Sequence, residues 1–237
     1  MGGCPVFVGT SGWSYDWNPD GLEWYVRFSG LNAVELNASF YRWPSRGMIL
    51  SWARRGGSLR WAVKVHRSVT HVHRLNERGL ELASRFVEAF APMDRLIDYY
   101  LFQLPPSYDR RPSHVERVER LVERLGLGAR VAIEFRHPSW FSEWSVGWAE
   151  GLGFTLVSVD SPMGTWIVSS GGRVYLRMHG RVAWYAHDYS LEELEEVAGR
   201  VAGLEPRVVH VFFNNDHWML ENARVMRRLL EERLCRR

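Results

Sequence analysis

Trp61-Ala62-Val63-Lys64-Val65-His66 is a short apolar run in which a lysine and a histidine occupy two of the last three positions. Its β-branched and aromatic residues predict a buried strand. Lys64 is the only lysine in a chain with 30 lysine and arginine residues. An ammonium group loses its proton when buried far more readily than a guanidinium does. Because buried ionisable groups gather at active sites, Lys64 is a candidate functional residue.

Seven further runs of this kind occur along the chain. With the first, they predict eight strands: Val6–Gly9, Ala33–Asn37, Arg60–His66, Tyr99–Leu104, Arg130–Phe135, Thr155–Asp160, Val174–His179 and Val208–Asn214. Between most of them, apolar residues at three- and four-residue spacing predict helices at Ser45–Arg55, Leu80–Asp98, Ser113–Leu125, Leu191–Val201 and Glu221–Leu234. Capping-box pairs predict helix starts at Ser113 (with Glu116) and Ser190 (with Glu193).

Alternating strands and helices predict parallel pairing with right-handed crossovers. Eight such units fit an α/β fold of the (β/α)8 TIM-barrel type, formed by residues 1–237 as a single domain. An open doubly wound sheet is the alternative, but Gly9-Thr10-Ser11-Gly12 lacks the spacing of its phosphate loop. Between strands six and seven, Thr165–Val168 and the Gly171-Gly172 turn predict a short hairpin or loop in place of the helix.

Composition excludes several classes of protein. The 237 residues are 46% hydrophobic and 24% charged, which is typical of a globular domain. The net charge is only +3, and the basic residues are interspersed with acidic ones, so a nucleic-acid-binding role is an alternative that we do not favour. The sequence shows neither a charged leader nor an apolar run of membrane length. We therefore expect a cytoplasmic protein without a membrane partner; the sequence carries no signal for an oligomeric state.

The chain contains two cysteines, Cys4 and Cys235, and no CxxC motif. Two cysteines so far apart argue against a disulfide framework and against a structural zinc site.

Polar residues stand at the predicted carboxyl ends of nearly every strand, the face on which barrel enzymes place their active sites. They are Ser11, Trp13, Tyr15, Glu35, Asn37, Tyr41, Lys64, His66, Gln103, Glu134, Arg136, Asp160, Arg177, His179, Asn214 and Asp216. Residues two apart point to the same side of a strand. Four same-side pairs follow: Glu35/Asn37, Lys64/His66, Glu134/Arg136 and Arg177/His179.

Six of these side chains carry opposite charges. The carboxylates are Glu35, Glu134 and Asp160; the cations are Lys64, Arg136 and Arg177. Burying them unpaired would cost several kcal/mol each, so a purely structural ion network is one reading. It explains the charge balance but not the concentration of the charges at one end of the strands.

Six sequence blocks carry a resemblance to a known family. They are Gly9-Thr10-Ser11-Gly12-Trp13, Val34-Glu35-Leu36-Asn37 with Phe40-Tyr41, Phe102-Gln103-Leu104-Pro105-Pro106, Glu134-Phe135-Arg136-His137-Pro138-Ser139-Trp140, Tyr175-Leu176-Arg177-Met178-His179-Gly180 and Phe213-Asn214-Asn215-Asp216. Together they resemble the YecE-like family, also known as domain of unknown function 72. The resemblance implies a TIM-type barrel and an activity that is not established. Asp216-His217-Trp218-Met219 departs from the family pattern of small residues at that place.

The first functional hypothesis is an enzyme that acts on a small polar or anionic substrate, phosphorylated, carboxylated or sugar-like. We predict catalytic roles for Lys64, Glu134, Glu35 and His66, with lysine as a base or imine-forming nucleophile. The predicted substrate-binding residues are Ser11, Trp13, Tyr15, Asn37, Tyr41, Gln103, Arg136, Arg177, His179 and Asn214. Within this set, Arg136 and Arg177 form the predicted anion-binding site, as a bidentate clamp.

A second hypothesis adds a divalent metal held by Glu134, Asp160, His179 and Asp216, a ligand mix that suits Mg²⁺, Mn²⁺ or Zn²⁺. Arginines at the same strand ends would repel such an ion, so no cofactor is predicted and the metal stays the alternative, as in a metal-dependent isomerase or hydrolase barrel. A third is nucleotide or nucleic-acid binding through the arginines and rim aromatics.

Overall fold

The structure is a computed structural model that describes residues 3–235. Its barrel strands are β1 (Val6–Ser11), β2 (Ala33–Leu36), β3 (Arg60–Lys64), β4 (Ile97–Gln103), β5 (Val131–Glu134), β6 (Thr155–Ser161), β8 (Arg173–Met178) and β9 (Val208–Phe213), with a short β7 (Gly164–Trp166) outside the ring. Each barrel strand pairs in parallel with its neighbours, and the β5–β6 and β1–β9 pairs close the ring. The predicted α/β TIM-type barrel is confirmed. The predicted single domain spans 1–237, beyond the described residues, and stays a prediction.

The irregular unit between the sixth and seventh barrel strands is also confirmed. β7 runs antiparallel to β6, with Ser161 opposite Gly164 and Asp160 opposite Thr165. Within the described chain no helix lies between β6 and β8. The hairpin therefore takes the place of the crossover helix.

The helices lie outside the barrel. They are α1 (Gly21–Phe28), α2 (Ala38–Tyr41), α3 (Arg46–Arg55), α4 (Glu77–Ala89), α5 (Pro112–Leu125), α6 (Glu143–Leu152), α7 (Leu191–Gly203) and α8 (Met219–Leu234). The helix predicted at Leu80–Asp98 ends earlier, at Ala89, and a 3-10 segment with Pro92 in its first turn leads into β4. Proline lacks the N–H that a continuing α-helix would need.

One of the two predicted capping boxes is confirmed. The Ser190 hydroxyl accepts from Glu193 N at 3.2 Å, and Ser190 N donates to the Glu193 carboxylate at 2.9 Å. The prediction at Ser113 is wrong, because α5 begins one residue earlier at Pro112, with Arg111 as the N-cap. The ring of proline fixes φ near the helical value, so Pro112 is favoured as the first residue of the helix.

The barrel interior separates into an apolar lower part and a polar upper part. The lower part is a small cluster: Ala33, Ala62, Tyr99, Leu101, Ala132, Val157, Tyr175 and Phe212. Alanines at Ala33, Ala62 and Ala132 leave room for the Tyr99 and Tyr175 rings, whose centroids lie 4.9 Å apart. The charged residues at the carboxyl end of the barrel lie directly above this apolar cluster.

Gly9 lies where the backbones of β1 and β2 approach each other closely. A Cβ at this position would lie 2.1 Å from the carbonyl oxygen of Ala33, so β1 and β2 would have to separate. We expect Gly9→Ala to destabilise the protein by about 2 kcal/mol or more. Gly147→Ala is the matched control. Gly147 lies within α6 with open space around it, so this substitution should stabilise the protein by up to about 1 kcal/mol. Urea unfolding measures both; equal midpoints would contradict the close approach.

Candidate active site at the carboxyl end of the barrel

Arg177 at the end of β8 lies between two buried carboxylates. Its Nε and Nη2 donate to Glu35 at 2.9 and 2.6 Å, and its Nη1 donates to Glu134. All three side chains are fully buried. Glu35 lies on β2 and Glu134 lies on β5. The Arg177 guanidinium therefore connects three strands that are not neighbours in the barrel.

Arg136 and His179 extend this arrangement from Glu134 towards the rim. Arg136 Nε donates to Glu134 at 2.7 Å and its Nη1 donates to the Tyr185 hydroxyl at 3.0 Å. Its guanidinium stacks over Trp184, 4.5 Å from the ring centroid. His179 Nε2 lies 3.4 Å from Glu134. Glu134 therefore contacts Arg177, Arg136 and His179. Arg136 in turn connects the buried ion pairs to the aromatic residues at the rim.

Opposite charges keep both carboxylates ionised in spite of burial. Burial alone would raise the pKa of Glu35, but the charge of Arg177 and hydrogen bonds from Arg177 and Tyr175 outweigh it and lower the pKa. At Glu134, burial is likewise outweighed by Arg177 and Arg136, and its pKa lies well below the usual value. The cluster therefore holds two negative charges at neutral pH.

Lys64 borders the same cluster without a carboxylate partner. Among the described residues no Asp or Glu lies within ion-pair distance of its Nζ, which sits 4.2 Å from the centroid of the Phe40 ring. Only 8% of the residue is exposed. Burial, followed by the charge of Arg177, lowers the pKa of Lys64 to about 7, although Glu134 and Glu35 oppose the shift.

The charge balance explains that shift. Glu35 and Glu134 are already matched by Arg136 and Arg177, which are engaged in hydrogen-bonded ion pairs. A proton on Lys64 would leave one uncompensated positive charge in a desolvated site. The neutral amine is therefore favoured far more than it would be in water.

A cleft of about 370 Å³ opens above these residues. Its lining residues are Ser11, Tyr15, Asn37, Tyr41, Lys64, Tyr185, Asn214 and Asp216. A second hollow of about 260 Å³ adjoins it, shares four of those residues and is lined in addition by Trp13. The lining is thus aromatic and amide-rich, with one amine and one carboxylate.

Hydrogen bonds hold several lining groups in place. The Ser11 hydroxyl donates to Glu35 at 2.8 Å, and Asn37 Nδ2 donates to the same carboxylate oxygen at 3.1 Å. The Tyr15 hydroxyl donates to the Ser11 carbonyl at 3.1 Å, and burial, followed by the charge of Asp216, raises the pKa of Tyr15 to about 12. Tyr15 therefore stays protonated as a hydrogen-bonding wall.

Three predicted residues lie outside the cleft, its adjoining hollow and the charged cluster beneath them. His66 follows the end of β3, hydrogen-bonds Ser68 at 2.8 Å and packs on Trp43. Gln103 is buried and donates to the Leu104 carbonyl at 2.7 Å. Asp160 is not part of the predicted ion network, because it pairs with Arg181 at 3.2 Å and accepts from Thr165.

The four residues of the alternative metal-ligand set do not converge on one point, and the set stays a prediction. Among residues 3–235 no cluster of three or more His, Cys, Asp or Glu is arranged to hold a metal ion. Glu134 is occupied by arginines, Asp160 by Arg181, and Asp216 lies on the rim beside His217 at 3.5 Å. The four residues therefore face different partners.

The predicted clamp of Arg136 and Arg177 on a bound anion is only partly compatible with the structure. Every donor group of Arg177 is directed at Glu35, Glu134 or His179, and the side chain is fully buried, so it holds carboxylates of the protein. Arg136 retains a small exposed edge, with 11% of its side chain accessible. Only Arg136 of this pair can reach a ligand.

Tyr175 is a site residue that the sequence interpretation missed. Its hydroxyl donates to Glu35 at 2.7 Å from within the barrel. Tyr175 stands two residues before Arg177, so the alternation that paired Arg177 with His179 could have found it. Tyr185, which lies in the loop after β8 with a positive φ of 66°, was predicted as a wall residue from its aromatic side chain and lines the cleft.

A further cavity lies at the opposite, amino-terminal end of the barrel. It measures about 460 Å³ and is bordered by Arg60, Asp98, Arg173 and His210, among others. Asp98 is already paired with Arg60 and with His210 at 2.8 Å. Conserved chemistry in TIM barrels sits at the carboxyl end, so the smaller cleft is the candidate active site.

His179 is expected to remain neutral throughout the physiological range. Burial, followed by the charge of Arg177, lowers its pKa to about 4. Its NMR ring shifts should therefore stay constant between about pH 5 and pH 8, whereas the exposed control His217, whose pKa is raised by the hydrogen bond that it donates to Asp16, should titrate. The stability that neutral His179 contributes is fully present above about pH 6.5, the value of the free side chain, and is lost progressively as the pH falls from there to about 4. A His179 midpoint near 6.5 would contradict this burial.

Residues 7–236 match the sequence model of the family described as a protein of unknown function, DUF72. The chain belongs to the DUF72 family. This confirms the predicted resemblance, since YecE-like is another name of that family. No curated protein sequence matches the chain significantly.

Solved structures of DUF72 proteins are similar over nearly the whole chain. One from Thermotoga maritima has 29% identity and a TM-score of 0.82, covering 96% of this chain and 99% of its own. One from Enterococcus faecalis has 21% identity and a TM-score of 0.83, with 95% of each chain covered. A xylose isomerase domain containing protein from Salmonella typhimurium, at 14% identity and a TM-score of 0.58, covers 86% and 88% and shares the fold alone. Among residues 3–235, no helix is long and apolar enough to cross a bilayer.

Proposed function

We propose that this protein is an enzyme that acts on the carbonyl group of a small polar, sugar-like substrate, with Lys64 as an imine-forming nucleophile. The observation that carries the proposal is a buried amine with a pKa of about 7 that borders the cleft. An amine attacks a carbonyl carbon only in its neutral form, so burial and the neighbouring arginines supply the reactive species at neutral pH.

The reaction step is a condensation. The Lys64 nitrogen adds to the substrate carbonyl carbon to form a carbinolamine, and loss of water leaves a neutral imine on Nζ. The site that disfavours a charge on the lysine accommodates this uncharged product. The cleft supports a sugar-like molecule because Tyr15, Tyr41 and Tyr185 offer ring faces and Asn37 and Asn214 offer amide groups.

An uncharged polar substrate fits better than a phosphorylated or carboxylated one. Arg177 is fully engaged with protein carboxylates, and Asp216 adds a negative charge to the rim. The metal-dependent and nucleic-acid alternatives have less support, since the four metal-ligand candidates face different partners and the charge excess is small.

Reductive trapping tests the proposal with unusual clarity, because Lys64 is the only lysine. The protein is incubated with hydroxyaldehydes and hydroxyketones of increasing length in the presence of cyanoborohydride. Intact mass and peptide mapping then locate adducts. We expect one adduct at Lys64 besides any on the α-amino group, and none there in Lys64→Arg. Tyr41→Phe, which keeps the amine and the ring, is the control. Absence of a Lys64 adduct across the series and from about pH 6 to pH 9 would refute the imine.

A further inference from the structure

Cys4 and Cys235, 231 residues apart in sequence, are adjacent in space. The Cys235 thiol donates to the Cys4 carbonyl oxygen at 3.2 Å, and Cys4 N donates to the Leu234 carbonyl at 3.4 Å. A Cβ placed on Gly3 would lie 2.8 Å from Cys235 Cα. The segment before β1 thus packs backbone to backbone on the end of α8.

Both residues are free thiols here. Disulfides join residues whose Cα atoms lie roughly 4.4–6.8 Å apart, a spacing typical of chain segments that are hydrogen-bonded side by side. Cys4 Sγ lies 3.6 Å from the Pro5 carbonyl oxygen and Cys235 Sγ lies 3.2 Å from the Cys4 carbonyl oxygen, so both sulfurs contact the same short stretch of backbone before β1.

We propose that Cys4 and Cys235 form a disulfide that joins the start of β1 to the end of α8 when the protein meets a low-molecular-weight disulfide such as oxidised glutathione. A distant cysteine pair argued against a disulfide framework in the sequence. In the folded protein a single disulfide becomes possible, since closure of the barrel brings the two residues together.

The two thiols differ in a way that orders the reaction. Cys235 is exposed, so its thiolate meets the oxidant first, attacks one sulfur of the small disulfide and releases one thiol. Cys4 is half-buried, and burial, followed by the neighbouring Cys235, raises its pKa. Cys4 then attacks the Cys235 sulfur of the mixed disulfide and releases the second thiol. In total two protein thiols are oxidised and one small disulfide is reduced to two thiols.

The bridge would close a loop of 231 residues. Cross-linking restricts the unfolded chain more for longer loops, and for a protein of this length the expected rise in Tm is about 10 °C. It would also hold the last turn of α8 against β1, where helix ends otherwise fray.

The test uses the full chain treated with oxidised glutathione or with dithiothreitol. We expect the oxidised protein to lose the mass of two hydrogen atoms, to show no titratable thiol, to remain monomeric on a non-reducing gel and to melt about 10 °C higher. Cys4→Ser and Cys235→Ser should each give only a glutathione adduct, without the rise in Tm. Two glutathione adducts on the unaltered chain, a cross-linked dimer or two unreacted thiols would each overturn the proposal.

Discussion

Replacing Arg177 by methionine is expected to destabilise the protein by about 3–5 kcal/mol, since it leaves two buried carboxylates without their shared cation. Methionine has a similar length and no charge, so packing is largely kept. Glu35 and Glu134 are fully buried and both accept from this one guanidinium. Urea unfolding at neutral pH measures the change. The pKa of Lys64 should rise in the same variant, because Arg177 is the charge that lowers it most.

Two controls separate this effect from ordinary loss of an ion pair. Arg78→Met removes an exposed partner of Glu81 and should change stability by less than about 1 kcal/mol. Adding Glu35→Gln alone to Arg177→Met should recover much of the loss, since Glu134 keeps its ion pair with Arg136 and no buried carboxylate is left without a cation. If Arg177→Met cost no more than Arg78→Met, Arg177 would not be the centre of the buried cluster.

Sequence periodicity correctly predicted three of the four same-side pairs at the strand ends. Asn37 donates to Glu35 at 3.1 Å, Arg136 to Glu134 at 2.7 Å, and Arg177 lies 3.4 Å from His179. In each case the two residues are two apart and a strand end holds them on one side. This alternation is a local property of extended backbone, so it can be predicted without knowledge of the fold.

Periodicity was wrong for the pair Lys64/His66. His66 lies two residues beyond the end of β3 and turns to Trp43 and Ser68. Lys64 and His66 therefore do not share a side.

Pairing across the barrel depends on features that sequence spacing does not encode. Arg177 lies on β8 and reaches Glu35 on β2 and Glu134 on β5, and none of these strands are neighbours. Strand tilt and stagger decide which side chains meet at the axis. Asp160 was predicted to neutralise the same cations, yet the loop residue Arg181 reaches it instead. The presence of an ion network could be predicted, but not its partners.

Replacing Lys64 by methionine is expected to stabilise the protein by about 3–5 kcal/mol near pH 6. The pKa of this lysine is about 7 in the folded protein, against 10.5 for the free side chain. Below pH 7 the amine is protonated in both states, and the folded protein bears the full cost of a desolvated cation beside Arg177. Between pH 7 and 10.5 the unfolded chain binds more protons, so the stability of the unaltered protein rises with pH.

The advantage of Lys64→Met should therefore shrink as the pH rises and vanish near pH 10.5. Urea unfolding at about pH 6, 8 and 10 measures the difference between the two proteins, from which titrations elsewhere cancel. Lys64→Arg is the opposing control: a guanidinium cannot shed its proton, so this variant should be the least stable at every pH. A Lys64→Met variant that is less stable at pH 6, or a pH-independent difference, would mean that the lysine is held as a compensated cation. A stabilising substitution would instead identify Lys64 as a residue that weakens the fold, which is expected of a group retained for chemistry.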